Sequence, residues 1–408
     1  MAPICLYFQV HQPNRIKDYT FFDIGKVHYY ENDQLNIEVL NKVSDKCYLP
    51  ANKMFLDLIQ KTKGAFKITF SFSGVVLEQL QNHRPDVLAS FQALVETGCV
   101  EILSETYYHS LAYFFSKNEF KRQVKLHKKK VQELFNYNPK VFRNTELIYS
   151  NEIANFAESM GFKGILTEGV DTVLKGRSSN YLYQSPNTSK IKTFARNFSL
   201  SDDIGFRFSN KSWNEYPLSA SKYADWLSNE QGDIINVFMD YESIGEHQWK
   251  DTGIFDFFWN MPQAVIGKGI RFITPSEAVN KIETRGMFDA HNSISWADQE
   301  RDLSAWLQNS MQIEALNKIY SLEKSVNSAK NKYMLDRWSK LQTSDLFYYM
   351  CTKGASDGMV HNYFSPYNSP YDAYIYFMNI LSDLEISLKQ KVKPIKRENS
   401  DEKELLVQ

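Results

Sequence analysis

Cysteine is scarce in this chain: four among 408 residues, at Cys5, Cys47, Cys99 and Cys351, with no Cys-x-x-Cys pair. That spacing implies neither a disulfide framework nor a zinc ribbon, and Cys5 and Cys99 fall in strand-like runs where a thiol packs as a small hydrophobe. Glycine and proline are also few, at 17 and 12. No glycine cluster leads from a strand into a helix, so a phosphate loop and a dinucleotide fingerprint are both missing, as are His-Glu-x-x-His and Gly-x-Ser-x-Gly. Neither sign of charge is in excess: 47 basic against 48 acidic residues leave −1, no electrostatic reason to expect nucleic acid or an anionic membrane. No apolar run reaches membrane-spanning length, and the first residues lack a basic region followed by a long apolar core. The expectations are a cytoplasmic protein and a neutral substrate.

What is abundant is aromatic: 24 Tyr, 28 Phe and 7 Trp, 14% of the chain, rings that fill cores and that also stack on sugars. Strand-like runs at 4–10, 67–72, 99–103, 141–143, 163–167, 191–196, 234–240 and 270–274 alternate with amphipathic stretches at 51–62, 84–97, 117–136 and 151–160. This alternation predicts an α/β fold with a parallel sheet. The shortest run, 141–143, and the polar run, 191–196, are the weakest of the eight. Beyond residue 285 the spacing turns helical, with Leu303, Trp306, Leu307, Leu316, Ile319 and Tyr320 followed by helices over 327–350 and 370–390. The expected organisation is a catalytic unit over 1–285, a helical domain over 286–390 packed on its mouth, and a flexible charged tail over 391–408.

Four of the strand-like runs end in polar packets. Ile4–Val10 leads into His11-Gln12-Pro13, where proline stops the ladder. Val100-Glu101-Ile102-Leu103 leads into Ser104-Glu105-Thr106-Tyr107-Tyr108-His109. Val141-Phe142-Arg143 opens into Asn144-Thr145-Glu146-Leu147. The run ending at Phe238 opens into Met239-Asp240-Tyr241-Glu242-Ser243-Ile244-Gly245-Glu246-His247-Gln248-Trp249. Carboxylates at buried strand ends cost several kcal/mol unless partners or a substrate use them. A closed parallel (β/α) barrel gathers the carboxyl ends of many strands on one face, where its βα loops build the site.

Five strings, HQP at 11–13, GCVEIL at 98–103, FRNTEL at 142–147, FMDYESIGEHQW at 238–249 and SWADQERDLSAW at 295–306, resemble in order the five sequence regions of glycoside hydrolase family 57. Within the family the wording is most similar to the α-amylase type. The resemblance implies a seven-stranded parallel (β/α)7 barrel with a C-terminal helical bundle. It also implies retaining hydrolysis of α-1,4-linked glucans of the starch, glycogen or maltooligosaccharide kind, with no cofactor or metal. By motif position Glu146 corresponds to the nucleophile and Asp240 to the acid/base. His11 and Glu101 match positions that bind the sugar at the cleavage point, and Trp296 and Asp298 offer further contacts. Arg143, Glu242, His247 and Trp249 complete the expected substrate-binding set: Arg143 assists Glu146, Glu242 is a negative neighbour of Asp240, and Trp249 walls the cleft. Glu105 matches its motif less well than Glu101.

The chemistry asks for such a pair on its own terms. An oxocarbenium-like transition state needs one carboxylate beneath the anomeric carbon and one acid on the leaving oxygen, and the acid keeps its proton near neutral pH only with burial or a negative neighbour. Blander readings stand beside these. Glu146 could be a helix-entry acid and Asp240 a strand-end cap; His109 and His247 are as readily satisfied core histidines as ligands. Rival functions are a 4-α-glucanotransferase of the same family, a metal-dependent hydrolase of polysaccharide deacetylase type using His11, His109, Asp240 and His247, and a glucan-binding homologue without turnover.

Overall fold

The computed structural model describes residues 1–390; the expected tail at 391–408 lies outside the described residues. Nine strands occur among the described residues: β1 (Ile4–Val10), β2 (Ile68–Phe72), β3 (Val100–Ile102), β4 (Val141–Arg143), β5 (Gly164–Glu168), β6 (Leu182–Gln184), β7 (Lys192–Arg196), β8 (Ile235–Asp240) and β9 (Thr284–Met287). Helices separate most of them, among them Leu49–Lys61, Pro85–Glu96, Lys117–Phe135 and Asn151–Ser159, each within two residues of its expected span. The protein is thus α/β with parallel sheets and helices.

The strands fall into two sheets, ordered β3-β2-β1-β8 and β4-β5-β7-β6-β9. All pairs in the first are parallel, and in the second only β6–β7 is antiparallel. A single parallel bridge, Ser104–Phe142, joins β3 to β4, and the Asn197 amide just past β7 donates to Asn236 O of β8 at 2.8 Å. The carboxyl ends of β1, β2, β3, β4, β5, β7 and β8 therefore lie on one side.

Two expectations change here. The 270–274 run is not a strand: it makes one bridge, Ile4–Phe272, because Thr274 caps a helix whose first residue, Pro275, has no N–H for a ladder. β6 and β9, short and polar or glycine-containing, join the second sheet without having been expected.

Period-two alternation divides the strands between apolar clusters. Cys5 and Tyr7 of β1, Val141, Leu166, Phe194 and Phe238 share one cluster. Leu6, Phe8 and Val10 pack with Phe55, Phe91 and Phe258 of helices in another. Phe142, Ile165 and Ala195 join a third that contains Trp306, Leu316, Trp338 and Phe377, so the C-terminal helices share a core with β4, β5 and β7.

Those helices are more broken than the periodicity implies. The expected 327–350 helix is interrupted at Lys330 (φ 50°) and again before Ser344, giving Glu323–Ala329, Lys332–Lys340 and Ser344–Tyr348. Ala355–Phe364 is a further, unexpected helix, and Pro370–Gln390 is the last. No helix among the described residues is long and apolar enough to cross a membrane.

Candidate functional site

Residues two apart on a strand face the same way, so the last alternating position of each strand meets its neighbours above the apolar cluster. Gln9 of β1 is in register with Ser71 of β2 and Asp240 of β8, and Glu105, Arg143 and Arg196 gather around them. The Ser71 hydroxyl donates to Glu105 at 2.5 Å, and Arg143 Nη1 lies 3.7 Å from the same carboxylate oxygen.

Glu146 sits on a single 3₁₀ turn just after β4. Asn144 secures that turn by donating to Ile148 O, and Thr145 by donating to Ser110 O. Glu146 and Leu147 hold φ of 56° and 51°, as does His109 at 51°. A left-handed conformation costs a non-glycine residue on the order of 1–2 kcal/mol, and such strain concentrates at functional sites. Both Glu146 oxygens are held: Oε1 is 2.6 Å from His109 Nε2, and Oε2 accepts the Trp296 indole N–H at 2.7 Å. Arg143 and Arg196 lie over the Trp296 ring, 5.2 and 5.6 Å from its centroid.

His109 is buried between two carboxylates, with Nδ1 3.4 Å from Glu105 Oε1. Both its acceptors are anionic, so each ring nitrogen carries a proton. Burial opposes that charge, yet the hydrogen bonds to Glu105 and Glu146 raise its pKa to about 9. His11 stacks on it at 3.9 Å and shows the opposite behaviour: burial and the neighbouring imidazolium lower its pKa. Neutral His11 donates from Nε2 to Asp345 at 2.9 Å and accepts at Nδ1 from Ser73, 2.7 Å away.

The carboxylates are driven apart. Burial works against ionising Glu105, but His109 and Arg143 bring it down to about 2. Burial would also raise Glu146, and His109, Arg143 and Trp296 together outweigh it, so Glu146 lies below the ordinary glutamate range. Asp240 moves the other way, up to about 6, through burial and the negative charge of Glu146.

The expected site residues separate. His11, Arg143, Glu146, Asp240 and Trp296 come together. Glu101 does not: its inward position lies two below that of Glu105, about 13 Å along the strand. Its carboxylate accepts the Ser276 N–H and hydroxyl at 2.8 and 2.6 Å, at the start of the helix Pro275–Lys281. Asp298 is also engaged elsewhere, held by Lys353 Nζ at 2.8 Å and His361 at 3.1 Å. Glu242 is buried behind Asp240, accepting from Tyr48, and burial with the Asp240 charge raises it to about 8. His247 faces Phe364, and burial lowers it to about 4. Trp249 is 61% exposed with Lys46 over its ring.

The four residues named for a zinc site do not converge: His11 and His109 have both nitrogens bonded elsewhere, and His247 faces Phe364. Among the described residues, three acids with ligand atoms within 4.8 Å of one another occur at Asp298, Glu300 and Asp357, where Lys353 already bonds Asp298 and Glu300. Glu105 and His109, outside the expected substrate-binding set, belong to the constellation around Glu146. A signal was available, since Glu105 ends the alternation Glu101, Leu103, Glu105. Asp345 gave none, being far along the chain from His11.

A family model described as Glycosyl hydrolase family 57 matches residues 5–291. A protein of Methanocaldococcus jannaschii named "Putative alpha-amylase" is 45% identical over 400 residues, 95% of this chain and 85% of that relative. The crystal structure of the GH57-type branching enzyme from Pyrococcus horikoshii has a TM-score of 0.70 at 15% identity, covering 96% of this chain and 92% of that one. For the 4-alpha-glucanotransferase of Thermococcus litoralis the values are 0.69 and 16%, covering 97% of this chain and 61% of that one. At such identities the two structures speak to the fold alone.

Proposed function

The chain belongs to glycosyl hydrolase family 57, and from that premise we propose that it hydrolyses α-1,4-glucosidic bonds of starch- or glycogen-type glucans and maltooligosaccharides with retention, as an α-amylase does. Glu146 is the nucleophile and Asp240 the acid/base. The observation that carries this reading is the opposed environment of the two carboxylates: Glu146 holds two donors and lies below its ordinary range, while Asp240 is pushed up to about 6. Carboxyls pushed apart in this way are suited to opposite roles.

In the first step a Glu146 oxygen bonds to the anomeric carbon as the glycosidic C–O bond breaks, and the Asp240 proton goes to the leaving oxygen. Ester formation removes the Glu146 charge, one cause of the raised Asp240 pKa, so that pKa falls and Asp240, having given up its proton, stays ionised beside the intermediate, ready to act as a base. In the second step water attacks the same carbon, gives its proton to Asp240 and releases Glu146. We read β1, β2, β3, β4, β5, β7 and β8 as a (β/α)7 barrel around this site, with residues 286–390 as a helical domain on its mouth. The Ser104–Phe142 bridge and the Asn197–Asn236 hydrogen bond support that reading.

Incubation with amylose, glycogen and maltooligosaccharides, with products resolved by size and their anomer read by proton NMR, tests the proposal. The expected result is shorter chains with retained configuration; disproportionation into longer and shorter chains would make the protein a glucanotransferase instead. Glu146→Ala should lose several orders of magnitude in kcat with an unchanged melt, and azide should restore turnover as a glycosyl azide of inverted configuration. Survival of most of the activity in Glu146→Ala would remove it from the nucleophile's role.

A further inference from the structure

The double clamp on His109 reaches beyond holding Glu146 in place, in a role that rests on Glu146 being the nucleophile. His109 Nε2 sits on that carboxylate at 2.6 Å, and its other nitrogen faces Glu105, a fully buried carboxylate anchored by the Ser71 hydroxyl and the Arg143 guanidinium. The Glu105 side chain is closed off from the surface. We propose that the Glu105–His109 ion pair keeps a fixed positive charge on Glu146 throughout turnover, and that its function is to speed release of the glycosyl-enzyme intermediate rather than its formation. His109 is on this reading a catalytic residue, because it touches the reacting carboxylate, and Glu105 is a positioning residue acting through it.

The two Glu146 oxygens are unequal. Oε1 is bonded to a cation and Oε2 to a neutral indole N–H, and charge-assisted bonds are roughly twice as strong. Oε2 is thus the freer to attack. When it bonds to the anomeric carbon, Oε1 becomes the ester carbonyl oxygen, still bonded to His109. In the second step water attacks that carbon, Asp240 takes its proton, and the breaking C–O bond returns its electron pair to Glu146 under the imidazolium. A cation beside a carboxylate that is losing charge slows the first step, and beside one that is regaining charge it accelerates the second.

The groups that set the charge here are few on each side. Glu105, Glu146 and His11 face His109 itself, with Asp345 behind His11. Arg143 and Asp240 act on Glu146 and on each other, Tyr348 of the C-terminal helices is coupled to Glu146, Arg196 and His109 act on Asp240, and His127 acts on Glu105. Of these, only His109 both bonds Glu146 and is held cationic by a second carboxylate. Replacing it with an uncharged donor should therefore move the Glu146 ionisation upward and shift the acidic limb of kcat/KM to higher pH.

The test uses His109→Gln, Glu105→Gln and Ser71→Ala in the full chain, with an activated maltosyl fluoride as substrate. The expected result is that kcat and KM fall together by at least about tenfold in His109→Gln while kcat/KM changes far less. A burst of fluoride should precede the slow steady state, and the acidic limb should move up. Glu105→Gln should give the same split, and Ser71→Ala a smaller one, so Ser71→Ala carries the test if the other two fail to fold. Loss confined to kcat/KM, with no burst and an unmoved acidic limb, would make the pair structural and overturn the inference. Trapping the wild-type enzyme with a fluorosugar, followed by peptide mass spectrometry, separates the two readings. A label elsewhere than Glu146 defeats the nucleophile assignment; a label on Glu146 with unaltered kinetic ratios in the variants defeats the clamp alone.

Discussion

Asp240 and Glu146 differ by one methylene in chemistry and far more in surroundings. Glu146 is held by an imidazolium and an indole N–H, whereas no hydrogen bond reaches the Asp240 carboxylate among the described residues; burial and the Glu146 charge leave it protonated up to about pH 6. A general acid is active only while it holds its proton, so kcat/KM on maltooligosaccharides should decline as pH rises through about 6. Asp240→Asn should abolish that decline and cost on the order of 10²–10⁴-fold on maltooligosaccharides. Glycosylation by an activated fluoride glycoside needs no proton donor and should be much less affected. Equal losses on both substrates, or an alkaline limb that persists in the variant, would place the proton donor elsewhere, with Glu242 the first to examine because burial raises it to about 8.

The segment after β8 shows how one element supports that chemistry. It leaves Asp240 through a 3₁₀ turn, Tyr241–Ser243, and folds back with a bridge from Ile244 to Gln248. Gly245 lies at φ 106°, and a Cβ there would fall 2.1 Å from Lys46 O. Gly245→Ala should therefore both strain the backbone and push the loop off Lys46, costing more than about 1 kcal/mol of stability and lowering kcat. Thermal melts and initial rates check this; unchanged values in both would mean the loop has room to move. This element was plain in the sequence because a continuous apolar run ended abruptly in acids, amides and aromatics. The same contrast made β1, β3 and β4 legible, while β2, β5 and β7 were legible only as strand-like runs alternating with helical stretches. β6 and β9 lacked it, since Leu182-Tyr183-Gln184 and Thr284-Arg285-Gly286-Met287 have neither an apolar run nor strict alternation. Glu101 misled because a motif fixes a residue's place in the sequence and not its depth below the carboxyl end of the strand, which here puts it against Ser276. Asp298 misled because its direction is set by Lys353 and His361, more than fifty residues away.

At the scale of the whole molecule the boundary near residue 285, clear as a change of periodicity, does not coincide with a boundary in packing. Trp306, Leu316, Trp338, Phe377 and Ile380 are buried in the same cluster as Phe120, Phe142, Ile153 and Ile165. Polar ties run the same way: Arg337 pairs with Glu31, Gln123 bonds Gln342, and buried Asp383 accepts from Gly25 N and Tyr30. Asp345, which accepts from His11, comes from this C-terminal part too, so the site itself is incomplete without it. Each large apolar side chain exposed by removing residues 286–390 forfeits about 1.5–3 kcal/mol, and a domain's whole net stability is about 5–15 kcal/mol. A handful of such exposures exhausts it. The chain cut after residue 285 should therefore be insoluble or unfolded and without activity, and the intact protein should unfold in a single calorimetric transition whose van't Hoff and calorimetric enthalpies agree. Two resolved transitions, or a soluble 1–285 fragment with native circular dichroism, would show that the strands hold their own core and that the C-terminal helices only dock upon it.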